Sequence, residues 1–576
     1  MMKRKVNLLT VGLLIHIIGM NQSLSAQVME QDSLALVALY NHTDGANWTD
    51  HTNWLTGPVN TWFGITVSSQ RVTSLKLNGN KLKGSIPTEI GNLSSLRILQ
   101  LKKNQLEGEI PAVVWNLTDL TDLRLGENAL TGSLPPEISN LLKLEWLVLE
   151  KNEFSGTIPH EIGSLSAFLH LYLNDNQFTD SIPSELGNCS LLKELFLENN
   201  QFMGNIPSSL GHLTSCYRLY LSNNQLTGTI PSEIGNCISM EAIGLDKNQL
   251  EGGIPPEIGN LAVLIRLFLN NNRLTGQIPP ELFNSPDLIT LMLNENQLEG
   301  GIPEIIGKCT KLEDIYLNQN KFSGAVPTSL TNTKSLKTLH LYHNQFPDLP
   351  NFSSLANLSS FKVFDNRFTF EDIESNIGIS GFSYAPQDSA GEAIDTTATT
   401  GQSMALSVHV GGTANQYQWM KDGVDIAGAT GSTYGIASAG PSNEGNYICR
   451  ITNTIATALT LYSKSVHLTV SGGTGITGSP EQNPATFALH QNYPNPFNPV
   501  TRIDYSLPEP GSIQLRIYNL QGRLIKTLVN ELQTMGVKSV VWNGLDDHSE
   551  KVSSGVYVYQ IKIGNISALK KMILIQ

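Results

Sequence analysis

Cysteine is nearly absent, with 5 residues in a chain of 576. So few leave no room for a disulfide framework, and stability must come from packing. Basic residues are in deficit too: 37 Lys and Arg stand against 50 Asp and Glu, a formal net charge of −13. That balance argues against a nucleic-acid partner and against an anionic membrane surface. Beyond the N-terminal segment, no stretch has the roughly 18 consecutive apolar residues that a membrane span needs. Catalytic patterns are missing as well. There is no H-E-x-x-H, G-x-S-x-G or phosphate loop. Glu313 and Asp314 are adjacent, but neighbours on a strand point to opposite sides. His340 and His343 have no third ligand at a metal-binding spacing. No catalytic residue, metal or cofactor is expected, and the chain is not expected to be an enzyme.

What the chain has in plenty is asparagine at a fixed period. From Asn80 and Asn104 on to Asn344, an asparagine recurs every 24 residues. Each one up to Asn320 is followed seven residues later by a proline, from Pro87 to Pro327. Four residues after each stands a glycine, except at Asp180. The unit reads L-x-x-L-x-L-x-x-N-x-L-x-G-x-I-P-x-x-I-G-x-L. Self-similarity at this period means a solenoid. The L-x-L alternation makes a short strand with its leucines facing inward. The Asn amide, with two donors and an acceptor, is suited to bond the backbones of neighbouring coils. Glycine opens a backbone conformation closed to other residues. Proline is expected on the outer side, where no ladder needs its missing donor. Single coils cannot bury their leucines, whereas a stack can. About thirteen coils at about 4.8 Å each give a curved rod about 60 Å long.

These residues resemble the leucine-rich repeat family, in the 24-residue L-x-G-x-I-P subtype known from plant receptor ectodomains. The resemblance implies short parallel strands on a concave face. It makes the repeated Leu, Asn, Gly, Ile and Pro scaffold, and leaves function to the x positions.

Several domains are expected. Residues 1–26 have the form of a signal peptide, with Lys3, Arg4 and Lys5 before an apolar run and Ala26 at the cleavage position. Its removal takes away three bases and no acid, so the charge becomes −13 − 3 = −16. Residues 27–70 are expected to cap the open end of the solenoid, with a helix over 32–40 and then Trp48, Trp54 and Trp62. The stretch A-L-Y-N-H-T-D-G-A-N-W followed by W-F-G-I-T-V resembles the N-terminal cap of leucine-rich repeat proteins. The two cysteines of the plant version fall here at Asn60 and Val67, so the disulfide is absent. Packing on the first coil is the expected role of the tryptophans; a sugar site is the alternative.

The solenoid itself is expected over 71–378, with Phe361, Phe364, Phe368 and Phe370 forming its far cap. Cys189, Cys237 and Cys309 replace a leucine of the repeat, and Cys216 replaces another. Cys189 and Cys237 lie two coils apart, about 10 Å, too far to bridge. They are expected to be small buried hydrophobes.

Residues 379–400 are small, polar and acidic, the composition of a linker. In 401–470 the period changes to strand alternation. Trp419, then Tyr447 two residues before Cys449, resembles an immunoglobulin-like sandwich with its tyrosine corner. The first cysteine of that pattern falls at Val408, so Cys449 is expected to be an unpaired core thiol. The domain is expected to act as a spacer or as a second binding module. Residues 471–486 form a Gly-, Ser- and Thr-rich second linker. Residues 487–576 read as a small all-β sandwich, with strands at 501–507, 512–518, 524–529, 539–542, 555–563 and 569–575. Its N-Y-P-N-P-F-N-P opening, I-Y-N-L-Q-G-R, Trp542, Gly555-Val556-Tyr557 and Lys570-Lys571-Met572 resemble the C-terminal sorting domain of type IX secretion cargo in the Bacteroidetes and their relatives. That resemblance implies passage across the outer membrane through the type IX machinery, and a place at the cell surface or in the medium.

The fold expected is therefore a leucine-rich repeat solenoid followed by two all-β sandwiches. The function expected is a secreted or surface protein that binds a protein or glycan on the concave face. The alternative is a structural adhesin in which the repeats are a spacer. One residue per L-x-L faces outward. That column is polar or basic at its ends and largely aromatic in the middle, and Trp146, His170 and Arg218 lie beside it. Contact is expected at Trp146, Tyr172, Phe196, Tyr220, Phe268 and Tyr316, with Gly244 leaving a gap to seat a protruding group.

Overall fold

A computed structural model describes residues 28–472, 486–547, 550–564 and 566–575. The expected signal peptide and most of the linker expected at 471–486 lie outside these residues. The chain divides into two compact units, Met1–Gly472 and Gly473–Gln576.

In the first unit a fifteen-stranded sheet forms one face of a solenoid. It starts with Ile65–Ser68, antiparallel to Arg71–Lys76. From there it runs in parallel, one three-residue strand per coil, through Ile98–Gln100 and on to Ser360–Lys362. The register never slips: Leu75, Leu99, Leu123 and Leu147 face one another in turn. Those leucines and their repeat mates are fully buried. Opposite the sheet the coils up to Thr328–Asn332 make a short 3-10 turn such as Ser208–His212, entered through Pro207. The sequence predicts an outer side without a ladder, but a second ladder runs there. Gln177–Asp180, Gln201–Asn205 and Gln225–Thr227 pair in parallel there. The proline comes after this second ladder ends, where its missing N–H costs nothing.

The asparagine ladder joins the coils. The Asn224 Oδ1 accepts the Phe202 N–H at 3.0 Å, and its Nδ2 donates to Leu197 O at 3.1 Å in the preceding coil and to Leu221 O at 3.0 Å in its own. At the near end Asn80 makes the same closure on Asp50. At the far end Gln387 substitutes for the next asparagine, accepting the Asn366 N–H at 3.0 Å and donating to Val363 O at 3.0 Å.

One regularity was not visible as a motif. The residue before each ladder asparagine, from Lys103 to Asp365, lies in the left-handed region, with Asn223 at φ +53°. Asn and Asp tolerate this conformation best, and Asp175, Asn199, Asn223 and Asn271 occupy it. Asp180, which stands where other coils have glycine, is also left-handed at φ +67°.

Both ends are capped. An N-terminal helix, α1 (Glu30–His42), lays Ala35, Leu36 and Leu39 on the first coil. Its buried Asp32 accepts the Val72 N–H at 2.7 Å and pairs with Arg71 at 2.9 Å. Trp54 sits between Trp48 and Trp62, each 4.8 Å away, and all three are buried. At the other end Phe361, Phe368 and Phe370 are buried, whereas Phe364 instead stacks on Tyr342 at 4.5 Å.

Residues 379–400 are not a linker throughout. Phe382–Ser383 adds the last strand of the large sheet, and Ile394–Thr399 pairs with Val466–Ser471. The low apolar content misled: Thr396, Thr397 and Thr399 are β-branched and fit an edge strand. The domain that follows packs this sheet against the pair Met404–Ser407 and Thr433–Ile436. Trp419 and Cys449 are buried side by side in register. The Tyr447 hydroxyl donates to Asn443 O at 2.7 Å. A short helix, α2 (Phe370–Glu374), joins this domain to the solenoid cap. Its Glu374 carboxylate accepts the Thr413 N–H at 2.8 Å, the Thr413 hydroxyl at 2.7 Å and the Asn453 amide at 2.6 Å. All five cysteines are buried and free.

The second unit is a sandwich of a three-stranded and a four-stranded sheet. Its longer strands are Thr501–Leu507, Gly511–Asn519, Leu524–Gln533, Gly536–Trp542, Gly555–Ile563 and Ile566–Leu574. Trp542, Tyr559 and Met572 fill the core. The proline-rich opening lies along the last strand, where the Phe497 N–H donates to Ile573 O at 2.9 Å.

The ladder makes a direct prediction. Asn224→Ala strands backbone groups of two coils and should cost about 1–3 kcal/mol in chemical denaturation. Asn223 is exposed, but its left-handed backbone makes Asn223→Ala cost about 1 kcal/mol as well, while Asn223→Gly should be close to neutral. Equal costs for Asn223→Ala and Asn223→Gly would contradict the conformational reading.

Candidate functional site

The concave sheet carries three outward columns, because each strand and the residue after its inner leucine expose alternate side chains. The middle column contains Tyr172, Phe196, Tyr220, Gly244, Phe268, Met292 and Tyr316, each beside the next in register. Trp146, His170, Glu194 and Arg218 form the column two residues earlier.

The structure brings together part of the expected set. Trp146 stacks on His170 at 3.5 Å, and the Arg124 guanidinium covers it at 4.2 Å. Tyr172 stacks on Phe196 at 4.6 Å and 10°. Phe196 meets Tyr220 at 5.1 Å. Trp146, Tyr172, Phe196 and Tyr220 are half-buried, and the faces of Tyr172 and Phe196 lie on one another. Phe268 makes no ring contact among the described residues. Tyr316 belongs to a second cluster, 4.8 Å from His340, which leads on to Tyr342 and Phe364. Gly244 does not leave the expected gap. The Tyr220 ring leans across it, so that an added β-carbon would lie 2.5 Å from Tyr220.

Glu194 was missed by sequence reasoning. The residue is 4% exposed, and its carboxylate gathers the rings. The His170 Nδ1 lies at 2.8 Å, Arg218 pairs at 3.0 Å, and the Tyr172 hydroxyl donates to it. Burial pushes this carboxyl up, but the bonds from Tyr172, Tyr217 and His170 outweigh it and hold it below the usual range. Burial lowers His170, and because the ionised Glu194 can only accept, the His170 Nδ1–H is the donor between them. Nothing in the sequence marked this hub, because its members lie one coil apart.

The third column, two residues after the ring column, was also missed. It contains Glu198, Ser222 and Asp246. Burial pushes the Glu198 carboxyl up to about 7, aided by the nearby charges of Asp175 and Asp246. In the C-terminal cluster, burial and the Lys362 charge push His340 down to about 4. Its Nε2 lies 2.9 Å from the Ser360 hydroxyl. Among the described residues no group of three or more His, Cys, Asp or Glu is arranged to hold a metal, and no helix is long and apolar enough to cross a membrane.

Comparisons with known proteins agree with this architecture. Residues 491–576 match the Secretion system C-terminal sorting domain. Seven stretches between 71 and 285 match the Leucine Rich Repeat: 71–93, 119–141, 143–165, 168–189, 191–213, 215–237 and 263–285. The plant peptide hormone receptor RGFR1 in complex with RGF2 is 31% identical at a TM-score of 0.51, over 55% of this chain and 52% of that one. The ectodomain of the Arabidopsis receptor kinase HAESA, in complex with an N-terminally extended IDA peptide hormone, is 28% identical at a TM-score of 0.51, over 64% of this chain and 66% of that one. An LRR protein of Leptospira interrogans is 30% identical at a TM-score of 0.43, over 54% of this chain and 84% of that one. The chain thus spans about half the length of the first receptor and just under two thirds of the second. The sorting domain marks proteins exported by the type IX system to the cell surface or the medium, and it engages that secretion machinery.

Glu198 gives a testable pH dependence. A carboxyl raised from 4.5 to about 7 in the folded state favours folding most below pH 4.5, and that advantage is lost as pH rises through about 7. Glu198→Gln should therefore melt above the wild type at pH 8 and level with it near pH 4.5. A gap that is the same at both pH values would contradict the assignment.

Proposed function

We propose that this chain, a leucine-rich repeat protein exported through the type IX secretion system, is a non-catalytic binding protein that recognises its partner on the concave face. The observation that carries this reading is the continuous row Trp146–His170–Tyr172–Phe196–Tyr220, locked from behind by Glu194. Aromatic residues with a neighbouring arginine are the favoured anchors of interfaces. Here they are preorganised, so binding loses little side-chain entropy. The repeats are of the 24-residue subtype found in plant receptor ectodomains, and the two receptors above hold peptide hormones. Phe268 and Tyr316 extend the same face toward the C-terminal cluster. Residues 394–471 act as an immunoglobulin-like spacer, with Trp419 in the core and Tyr447 as its corner, and Glu374 fixes that spacer to the solenoid.

A binding screen with the full chain tests the reading. Partners retained from extracellular protein extracts or a glycan array should lose roughly tenfold or more in affinity for Phe196→Ala and for Tyr220→Ala, the loss expected of interface anchors. Unfolding of both variants should stay cooperative. Unchanged affinity in both would leave the row as scaffold. Export is tested separately. Deleting 487–576 should strand a folded protein in the periplasm, and normal arrival of the truncated chain at the surface would overturn the sorting role.

A further inference from the structure

The third concave column has a chemistry of its own. Three of its asparagines turn a donor sideways onto the left-handed residue that follows. Asn174 donates to Asp175, Asn270 to Asn271 and Asn318 to Gln319. The Oδ1 atoms of Asn270 and Asn318 and the Oε2 of Glu198 are buried without a hydrogen-bond partner, and Asn318 is only 2% exposed. Buried acceptors left unpaired are rare and costly. Charge adds to this. Among the described residues no Lys, Arg or His forms an ion pair with Asp175, Glu198 or Asp246. The two other acids facing the middle of this face are answered differently: Glu194 by Arg218, and Glu150 by Lys102.

We infer that this column reads cations: the partner is an extended peptide segment bearing lysine or arginine, lying along the solenoid axis with its cations over Glu198 and Asp246 and its apolar side chains against the edges of Phe196 and Tyr220. The inference rests on the concave-face reading above and narrows it. Glu198 and Asp246 lie two coils apart, about 10 Å, within reach of side chains two to four residues apart in an extended chain. Asp246 accepts the neutral Ser222 hydroxyl, and carboxylates without a cationic partner select cations from a ligand. The rings favour a peptide over a sugar. A sugar needs an open ring face, and Trp146 has Arg124 on one face and His170 on the other. Tyr172 and Phe196 likewise cover each other.

The test uses the full chain and three labelled probes in fluorescence anisotropy: a hexapeptide alternating lysine and phenylalanine, its glutamate–phenylalanine counterpart, and neutral cellohexaose. The lysine peptide should saturate at least about tenfold tighter than the glutamate peptide and weaken with added salt. The double variant Glu198→Gln/Asp246→Asn should lose roughly tenfold in affinity for the lysine peptide. Glu233→Gln, on an exposed outer turn, should lose nothing, and both variants should unfold cooperatively. Equal binding of the two peptides, no effect of the double variant, or no binding of the lysine peptide overturns the inference. If cellohexaose or the glutamate peptide binds instead and Tyr220→Ala abolishes it, the cation reading falls while the concave face stands. If no probe that binds responds to Tyr220→Ala, both readings fall.

Discussion

One amide per coil holds this protein in register. The ladder asparagine accepts an N–H from the preceding coil and returns a donor to that coil's carbonyl, so two coils cannot slide without leaving buried groups unpaired. The rest of the solenoid follows from that constraint. It stacks inward leucines into one core and places the outward residues of successive strands beside one another. A residue every 24 positions thereby becomes a continuous column on a surface. The same ladder ends by substitution: Asn80 reaches the cap at Asp50, and Gln387 takes the last place. Stability is built from neighbour terms, and the cysteines contribute to it as free, buried core residues.

On that frame, two neighbouring carboxylates have opposite roles. Glu194 is satisfied by His170, Tyr172 and Arg218, and so it fixes the rings. Glu198, four residues further along the same coil, has a buried oxygen with no partner and two acids nearby. The first arrangement spends its charge inside the molecule. The second leaves charge and acceptors to be completed from outside. A rigid aromatic ledge beside an incomplete polar column is the combination expected of a face that selects a partner.

The scaffold was legible in the sequence because repetition converts spacing into structure. Asn224 needed no further clue than its eleven companions at the same interval. The C-terminal sandwich was legible through alternation and turn residues, as at Asn519–Gly522. Contacts between coils were not legible. Glu194 meets His170 and Arg218 only because the fold places residues 24 apart side by side. The Gly244 position looked like a gap because the sequence carries no rotamers, and the tilt of Tyr220 closes it. Residues 394–399 were read by composition as a linker, although their threonines suit a strand. The left-handed residue before each ladder asparagine was hidden because Lys, Glu, Gln and Asn all occupy it.

Amide hydrogen exchange of the full chain, free and with a bound partner, tests the account most directly. It requires that the N–H groups taken by the ladder, such as those of Phe178, Phe202 and Leu226, exchange among the slowest in the free chain. It also requires that added protection on binding fall on the concave strands between Trp146 and Tyr220. Ladder amides that exchange as fast as loop amides, or new protection confined to the outer turns or to residues 394–471, would contradict it.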